Sequence, residues 1–269
     1  MTASPRLGPP PLRLLVAGTA AVAFLALPLV ALVVSAPWDR LWSIVTTEGA
    51  RQALWLSLYT STIAATLCLL AGLPLAWLLA RVEFAGRRYV RALVTVPLVL
   101  PPVVGGVALL SAFGRHGLVG APLRAAFGTQ IPYTTAAVVI AHTFVALPFF
   151  VISMEGAFRG ASTRLEVAAA TLGADRWTTF WRVTLPLARP GLVAGLVLAW
   201  ARSLGEFGAT ITFAGNYPGT TRTMPLDVYT ALQADRDTAV ALSLVLLVVC
   251  VAVLVGLRER WWSHGGVLP

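Results

Sequence analysis

The sequence predicts an all-α integral membrane protein, a single domain over residues 1–269 with six transmembrane helices, and three features lead there. The chain is 58% hydrophobic and only 12% charged, with a mean hydropathy of +0.81, too apolar for a water-soluble domain. Its apolar residues fall into six runs, each long enough to cross a hydrocarbon core of about 30 Å as a helix. The cationic residues lie mostly between those runs, and all are arginine, because the sequence has no lysine.

Taken in order, Arg6 and Arg13 precede an uncharged run, 14–34. It exceeds the roughly 7–15 residues of a signal-peptide core, so it reads as a retained anchor. Residues 37–52 are a short polar connection whose Trp38 and Trp42 suit a membrane interface. The second span, 53–80, carries no charge, and Ala64, Cys68 and Gly72 give it a thin face for close helix packing. Arg81, Arg87, Arg88 and Arg91 crowd the connection to the third span, 92–114. That span contains Pro97, Pro101, Pro102, Gly105 and Gly106, so its backbone hydrogen bonds are interrupted near mid-membrane. A Gly- and Pro-containing outer loop leads to the fourth span, 134–154, where His142 reads as a core histidine with its hydrogen bonds satisfied. The fifth span, 191–213, opens with Gly191 and Gly195 at the spacing of a tight helix contact. A polar, turn-rich stretch, with one short surface helix from Pro225, precedes the sixth span, 238–257.

The arginines set the orientation. Thirteen of the twenty lie in the N-terminus, the second connection, the loop 159–189 and the C-terminus, which places those segments and both termini in the cytoplasm. This is a topology signal; no basic stripe interleaves with aromatics, so nucleic acid is not an expected partner and membrane lipid is. Without lysine the chain has neither a P-loop nor a Schiff base, and energy must come from a partner or a gradient. Cys68 and Cys250 sit in apolar runs and read as small hydrophobes, with no disulfide and no metal site. No H-E-x-x-H, G-x-S-x-G or paired-cysteine motif occurs, so no catalytic residue and no bound cofactor is expected.

Inside the loop 159–189, the segment TRLEVAAATLGADRWTTFWRVTLP is the one long polar helical stretch. Thr163 and Glu166 have capping-box spacing, which predicts a helix starting at Thr163. Glu166, Ala169, Ala170 and Gly173 share one face of little bulk, Gly173 suits a left-handed terminus, and a second helix is expected from about Ala174 until Pro186 stops it. Ala168-Ala169, Gly173 and Val183-Thr184-Leu185-Pro186 together resemble the cytoplasmic EAA loop of ABC-importer permeases. The resemblance implies that Glu166, Ala168, Ala169, Gly173, Leu185 and Pro186 couple the chain to an ATPase subunit. The family's Glu directly precedes the two alanines; here Val167 holds that place and Glu166 lies one residue earlier. Glu166 therefore has two readings, an ATPase contact or a capping carboxylate.

Arg202 and Glu206 stand one turn apart on the fifth helix, roughly 18 Å beyond Pro190 and so past the middle of the membrane core. Ionisable groups at that depth either line a transport route or pair with each other to hold helices. Ser203 and Thr210 are placed with them in the pathway. Pro101 and Pro102 restart a helix whose first amides, near Gly105, attract anions or else merely pack at a kink. The stretches PLVLPPVVGGVALLSAFG (97–114) and RSLGEFGATITFAGNYPGTTRTMPLDVY (202–229) resemble molybdate permeases. That resemblance implies a type I ABC-importer (MetI-like) bundle in a bacterial inner membrane. It also implies a homodimer on two ATPase subunits that carry ATP and Mg²⁺, fed by an extracytoplasmic molybdate-binding protein. The cargo it implies is molybdate or tungstate. Sulfate and thiosulfate permeases share R-x-L-G-E and are the alternative. A passive channel has no use for a docking loop, and a membrane-embedded enzyme lacks its residues.

Overall fold

The computed structural model describes residues 11–262, and among them every regular element is helical. Helix α1 (Leu12–Val34) is followed by the short α2 (Leu41–Val45) and by α3 (Glu48–Arg81). Next come α4 (Arg87–Val99), α5 (Pro102–Phe113), α6 (Gly120–Phe127) and α7 (Thr135–Gly160). The loop helices α8 (Thr163–Thr171), α9 (Arg176–Thr179) and α10 (Leu185–Leu187) lead into α11 (Arg189–Leu204). A π-helical turn, Phe180–Thr184, joins α9 to α10, and α12 (Gly208–Phe213), α13 (Met224–Leu232) and α14 (Arg236–Trp262) follow. Among the described residues four helices are individually long and apolar enough to cross a membrane, and up to six crossings result if two sharply bent helix pairs each count as one.

The centre of the bundle is α3 against α7, which run parallel: the Cys68 thiol faces the Thr143 carbonyl, and Arg81 reaches the Ala161 carbonyl at 3.1 Å. The expected thin face is here, with Ala64 and Cys68 fully buried and Gly72 so close to Phe150 that a Cβ would lie 2.6 Å from its ring. Helix α11 packs antiparallel on α7 through Gly191, against Ala157, and Gly195, against Phe150 and Ser153. Both glycines therefore serve packing inside one chain. Helix α1 has no buried residue and leaves its apolar surface exposed.

Several sequence expectations are corrected. The third span breaks at the tandem prolines, as expected, but into two helices, α4 and α5, bent by 120° around Leu100 and Pro101; each is about 20 Å long, too short to cross alone. Pro101 and Pro102 together remove two successive amide donors, which forces the restart. The fifth span also breaks: α11 ends at Leu204, residues 205–207 are non-helical, and α12 resumes at Gly208. Arg202 and Glu206 thus do not share one helix. The helix that holds the sixth run, α14, starts at Arg236, where Asp235 accepts from the Thr238 hydroxyl and amide. The helix from Met224 is not a surface element, since Met224 and Leu226 are buried and the Met224 amide donates to Ser57 Oγ at 2.7 Å. His142 is fully buried, but neither ring nitrogen has a partner among the described residues, so it is not the satisfied histidine expected.

The two breaks pack on each other. A Cβ on Gly208 would lie 2.7 Å from Pro102 Cβ, and one on Gly106 would lie 2.6 Å from Thr212 Cβ and 3.0 Å from the Ala209 carbonyl. Gly106→Val is therefore expected to destabilise the purified chain by about 1–3 kcal/mol, as overpacking does. Gly156→Ala, where a Cβ meets nothing within 4 Å, is the control and should not lower the unfolding midpoint. An unchanged midpoint for Gly106→Val would show that α5 and α12 do not pack this closely.

Candidate functional site

Two regions carry chemistry, the loop between α7 and α11 and the junction of the two broken helices. In the loop, α8 starts at Thr163 as predicted, but its N-cap is Ser162, one residue before the expected capping Thr163, and no side chain caps it. Glu166 is drawn elsewhere by a stronger partner. Its Oε1 accepts from Arg81 Nη2 at 2.8 Å and from the Thr184 hydroxyl at 3.0 Å, both in a partly buried setting. A charged partner outweighs a lone amide, so the carboxylate ties α8 to the end of α3 and to the π turn. The capping-box reading fails for this reason.

Gly173 ends α8 with φ +86, the left-handed geometry expected of it. Asp175 caps α9, and hydrogen bonds from the Thr178 side chain and amide hold its carboxyl below the usual range. Pro186 does not stop the helix, which runs on to Leu187. The preceding π turn, Phe180–Thr184, shifts the hydrogen-bond register there. The chain turns by 72° at Ala188, just before Pro190, whose ring cannot sit within a continuing helix. Of the predicted coupling residues, Ala168, Gly173 and Pro186 are exposed, Ala169 and Leu185 half-buried, and Glu166 turned inward. Around them Val167, Leu172 and Trp177 are 62%, 88% and 69% exposed, three large apolar side chains of the kind found at interaction surfaces. The sequence reading missed these large side chains, and also Arg81, whose contact with Glu166 spans 85 positions and leaves no local signal.

At the junction, Arg202 Nη2 lies 2.5 Å from Glu206 Oε2. Glu206 is buried, and its other oxygen accepts from the Ala209 amide at 2.8 Å, so one carboxylate both balances the guanidinium and satisfies an orphan donor at the start of α12. Arg202 keeps 28% of its side chain exposed and lines a cavity of about 90 Å³ with Pro97, Leu100, Pro102, Gly105 and Phe144. The structure thus brings Arg202, Glu206, Pro102 and Gly105 to one place. Pro101 is the exposed N-cap of α5. Ser203 is buried with its hydroxyl donated to the Ala199 carbonyl, and Thr210 is buried on α12 with no partner for its hydroxyl among the described residues. Neither Ser203 nor Thr210 lines the cavity.

Residues 72–264 match the family model of the binding-protein-dependent transport system inner membrane component. The molybdenum transport system permease protein of Mycobacterium tuberculosis is 54% identical over 241 residues, 90% of this chain and 91% of that protein. Its namesake in Escherichia coli is 41% identical, over 82% of this chain and 96% of that one. The sulfate transport system permease protein of Escherichia coli is 37% identical over 83% and 82% of the two chains. Among solved structures, a bacterial ABC transporter for the import of alginate superposes with a TM-score of 0.73 at 20% identity, covering 94% of this chain and 96% of that one, which is a likeness of fold. With nearly three quarters of its length inside the family model and relatives matched almost end to end, the chain belongs to the binding-protein-dependent transport system inner membrane components.

Proposed function

We propose that the chain is the permease of an ATP-driven importer that carries molybdate or tungstate across a bacterial cytoplasmic membrane. The observation that carries this reading is a partly exposed arginine in the cavity where two broken helices meet. The likeness to molybdenum permeases supports the choice of cargo, and sulfate is the competitor that the relatives leave in play. In this reading two copies enclose the pathway and both termini are cytoplasmic, as the arginine distribution requires. An extracytoplasmic binding protein delivers the anion, and ATP and Mg²⁺ stay on a separate ATPase dimer that seats on Val167, Leu172 and Trp177.

The chemistry follows from charge. A doubly charged oxyanion entering a low-dielectric bundle loses hydration at a cost of several kcal/mol, and a fixed positive group must offset it. A guanidinium suits that task better than an ammonium, because it is more weakly hydrated and its planar fork of donors matches oxyanion geometry. Glu206 does not compete with the substrate as a free carboxylate would, because both of its oxygens are engaged. It tempers the arginine's attraction so that the anion passes on. ATP binding draws the two loops together and biases the dimer outward-open, and hydrolysis returns it. The Glu166 contacts with Arg81 and Thr184 pass that displacement to α3 and α11.

Arg202→Gln in the assembled complex is expected to abolish uptake of labelled molybdate while ATP hydrolysis persists. Normal uptake by this variant would reduce Arg202 to a structural partner of Glu206. Excess unlabelled sulfate added to the same assay should leave wild-type uptake unchanged, and strong competition would favour the sulfate reading.

For the loop, Glu166→Arg alone should uncouple hydrolysis from uptake, and adding Arg81→Glu should restore coupling by re-forming the pair reversed. The single change replaces a charged hydrogen bond with repulsion, a loss of about 1.5–3 kcal/mol or more. Failure of the double variant to recover, with the complex assembled, would mean that Glu166 contacts the ATPase directly.

A further inference from the structure

Away from both regions, the connection between α3 and α4 holds a cavity of about 470 Å³ lined by Phe84, Gly86, Tyr89 and four arginines, Arg87, Arg88, Arg91 and Arg159. One carboxylate answers those four cations: Glu155 Oε1 takes both Arg91 and Arg159, each at 2.7 Å. Arg87 is spent on the Leu79 carbonyl, 3.0 Å from its Nε. Among the described residues Arg88 has no acidic partner; its guanidinium lies 4.7 Å over the Tyr89 ring and 2.7 Å from that residue's hydroxyl. Sharing one acceptor, Arg91 and Arg159 keep 40% and 49% of their side chains exposed beside it. The cavity is therefore strongly cationic and open.

Its lower edge is apolar. Tyr89, Leu93 and Val96 follow at i, i+4 and i+7 along α4 and are 64%, 71% and 47% exposed, so a greasy strip runs from the arginines down the helix. A cationic pocket at the head of an exposed apolar strip matches a molecule with an anionic head and a hydrocarbon tail. A free inorganic oxyanion has no use for the strip. We infer that this is a binding site for an anionic phospholipid, its phosphate among Arg88, Arg91 and Arg159 and one acyl chain along Leu93 and Val96. Basic pockets beside membrane helices recognise such headgroups, and guanidinium forks suit phosphate oxygens. The inference rests on the chain lying in a membrane, and not on which anion it transports.

Native mass spectrometry of the purified full-length chain, incubated with cardiolipin or with phosphatidylcholine, reads the bound lipid directly. Cardiolipin adducts are expected on the wild type and not phosphatidylcholine adducts. They should fall about fivefold in Arg88→Gln, the loss of one surface cation, recover in Arg88→Lys, and stay unchanged in Arg124→Gln on α6. Equal binding of the two lipids, or adducts indifferent to Arg88→Gln, would overturn the assignment. Displacement of cardiolipin by inorganic phosphate or molybdate alone would hand the pocket to a free oxyanion instead. Dissociation of a dimer by Arg88→Gln, with lipid adducts intact, would give the strip to a second copy of the chain.

Discussion

Inside a bilayer, a backbone amide or carbonyl that leaves a helix finds no water to replace its lost partner. Within the third and fifth spans the helix is interrupted at Leu100–Pro101 and at 205–207, and the two interrupted ends are set against each other. Gly106 and Gly208 let the backbones approach closely enough for that. The Glu206 carboxylate then satisfies the Ala209 amide, and its charge calls for Arg202. A single need, closing a broken span, thus accounts for the only deep ion pair seen among the described residues. In the proposed function, the cation that the repair requires also serves the permeating anion.

The mechanical frame follows from the same helices. Helix α11 is a rod of 16 residues, about 24 Å long, with the loop at one end and Arg202 in its last turn at the other. It is locked to α7 through Gly191 and Gly195, and α7 to α3 through Gly72, so the three move as a packed unit. The loop meets this unit at two points, the 72° bend at Ala188 and the Arg81–Glu166–Thr184 contacts. A push on α8 has a short and rigid path to the junction, since packed helices switch between arrangements and do not deform continuously.

Much of this was legible in the sequence because it is written locally. Runs of apolar residues located the crossing helices, the tandem prolines located the first break, and Gly173 announced its own left-handed turn. Small residues at four-residue spacing named the close contacts, though not the helix on the other side. What stayed hidden is long-range. Thr163 and Glu166 have the spacing of a capping box, but Arg81, far away in sequence, offers the carboxylate a better partner. The second break had only Gly205 and Gly208 as local signals, and the i, i+4 spacing of Arg202 and Glu206 argued for a continuous helix that does not form. Pro186 was a poor guide to the helix end because a π turn before it had already shifted the register.

The central claim is that the junction of the two breaks is the route of the anion, opened by the ATPase. Thiol accessibility tests this most directly, in a background where Cys68 and Cys250 are replaced by alanine. Leu100→Cys, in the cavity beside Arg202, should react with a water-soluble anionic thiol reagent in the ATP-bound complex and be protected in the nucleotide-free one. Val99→Cys, 85% exposed on the neighbouring position, should show no dependence on nucleotide. A Leu100→Cys thiol that stays unreactive in every nucleotide state, or reacts equally in all of them, would contradict the account and place the route elsewhere in the bundle.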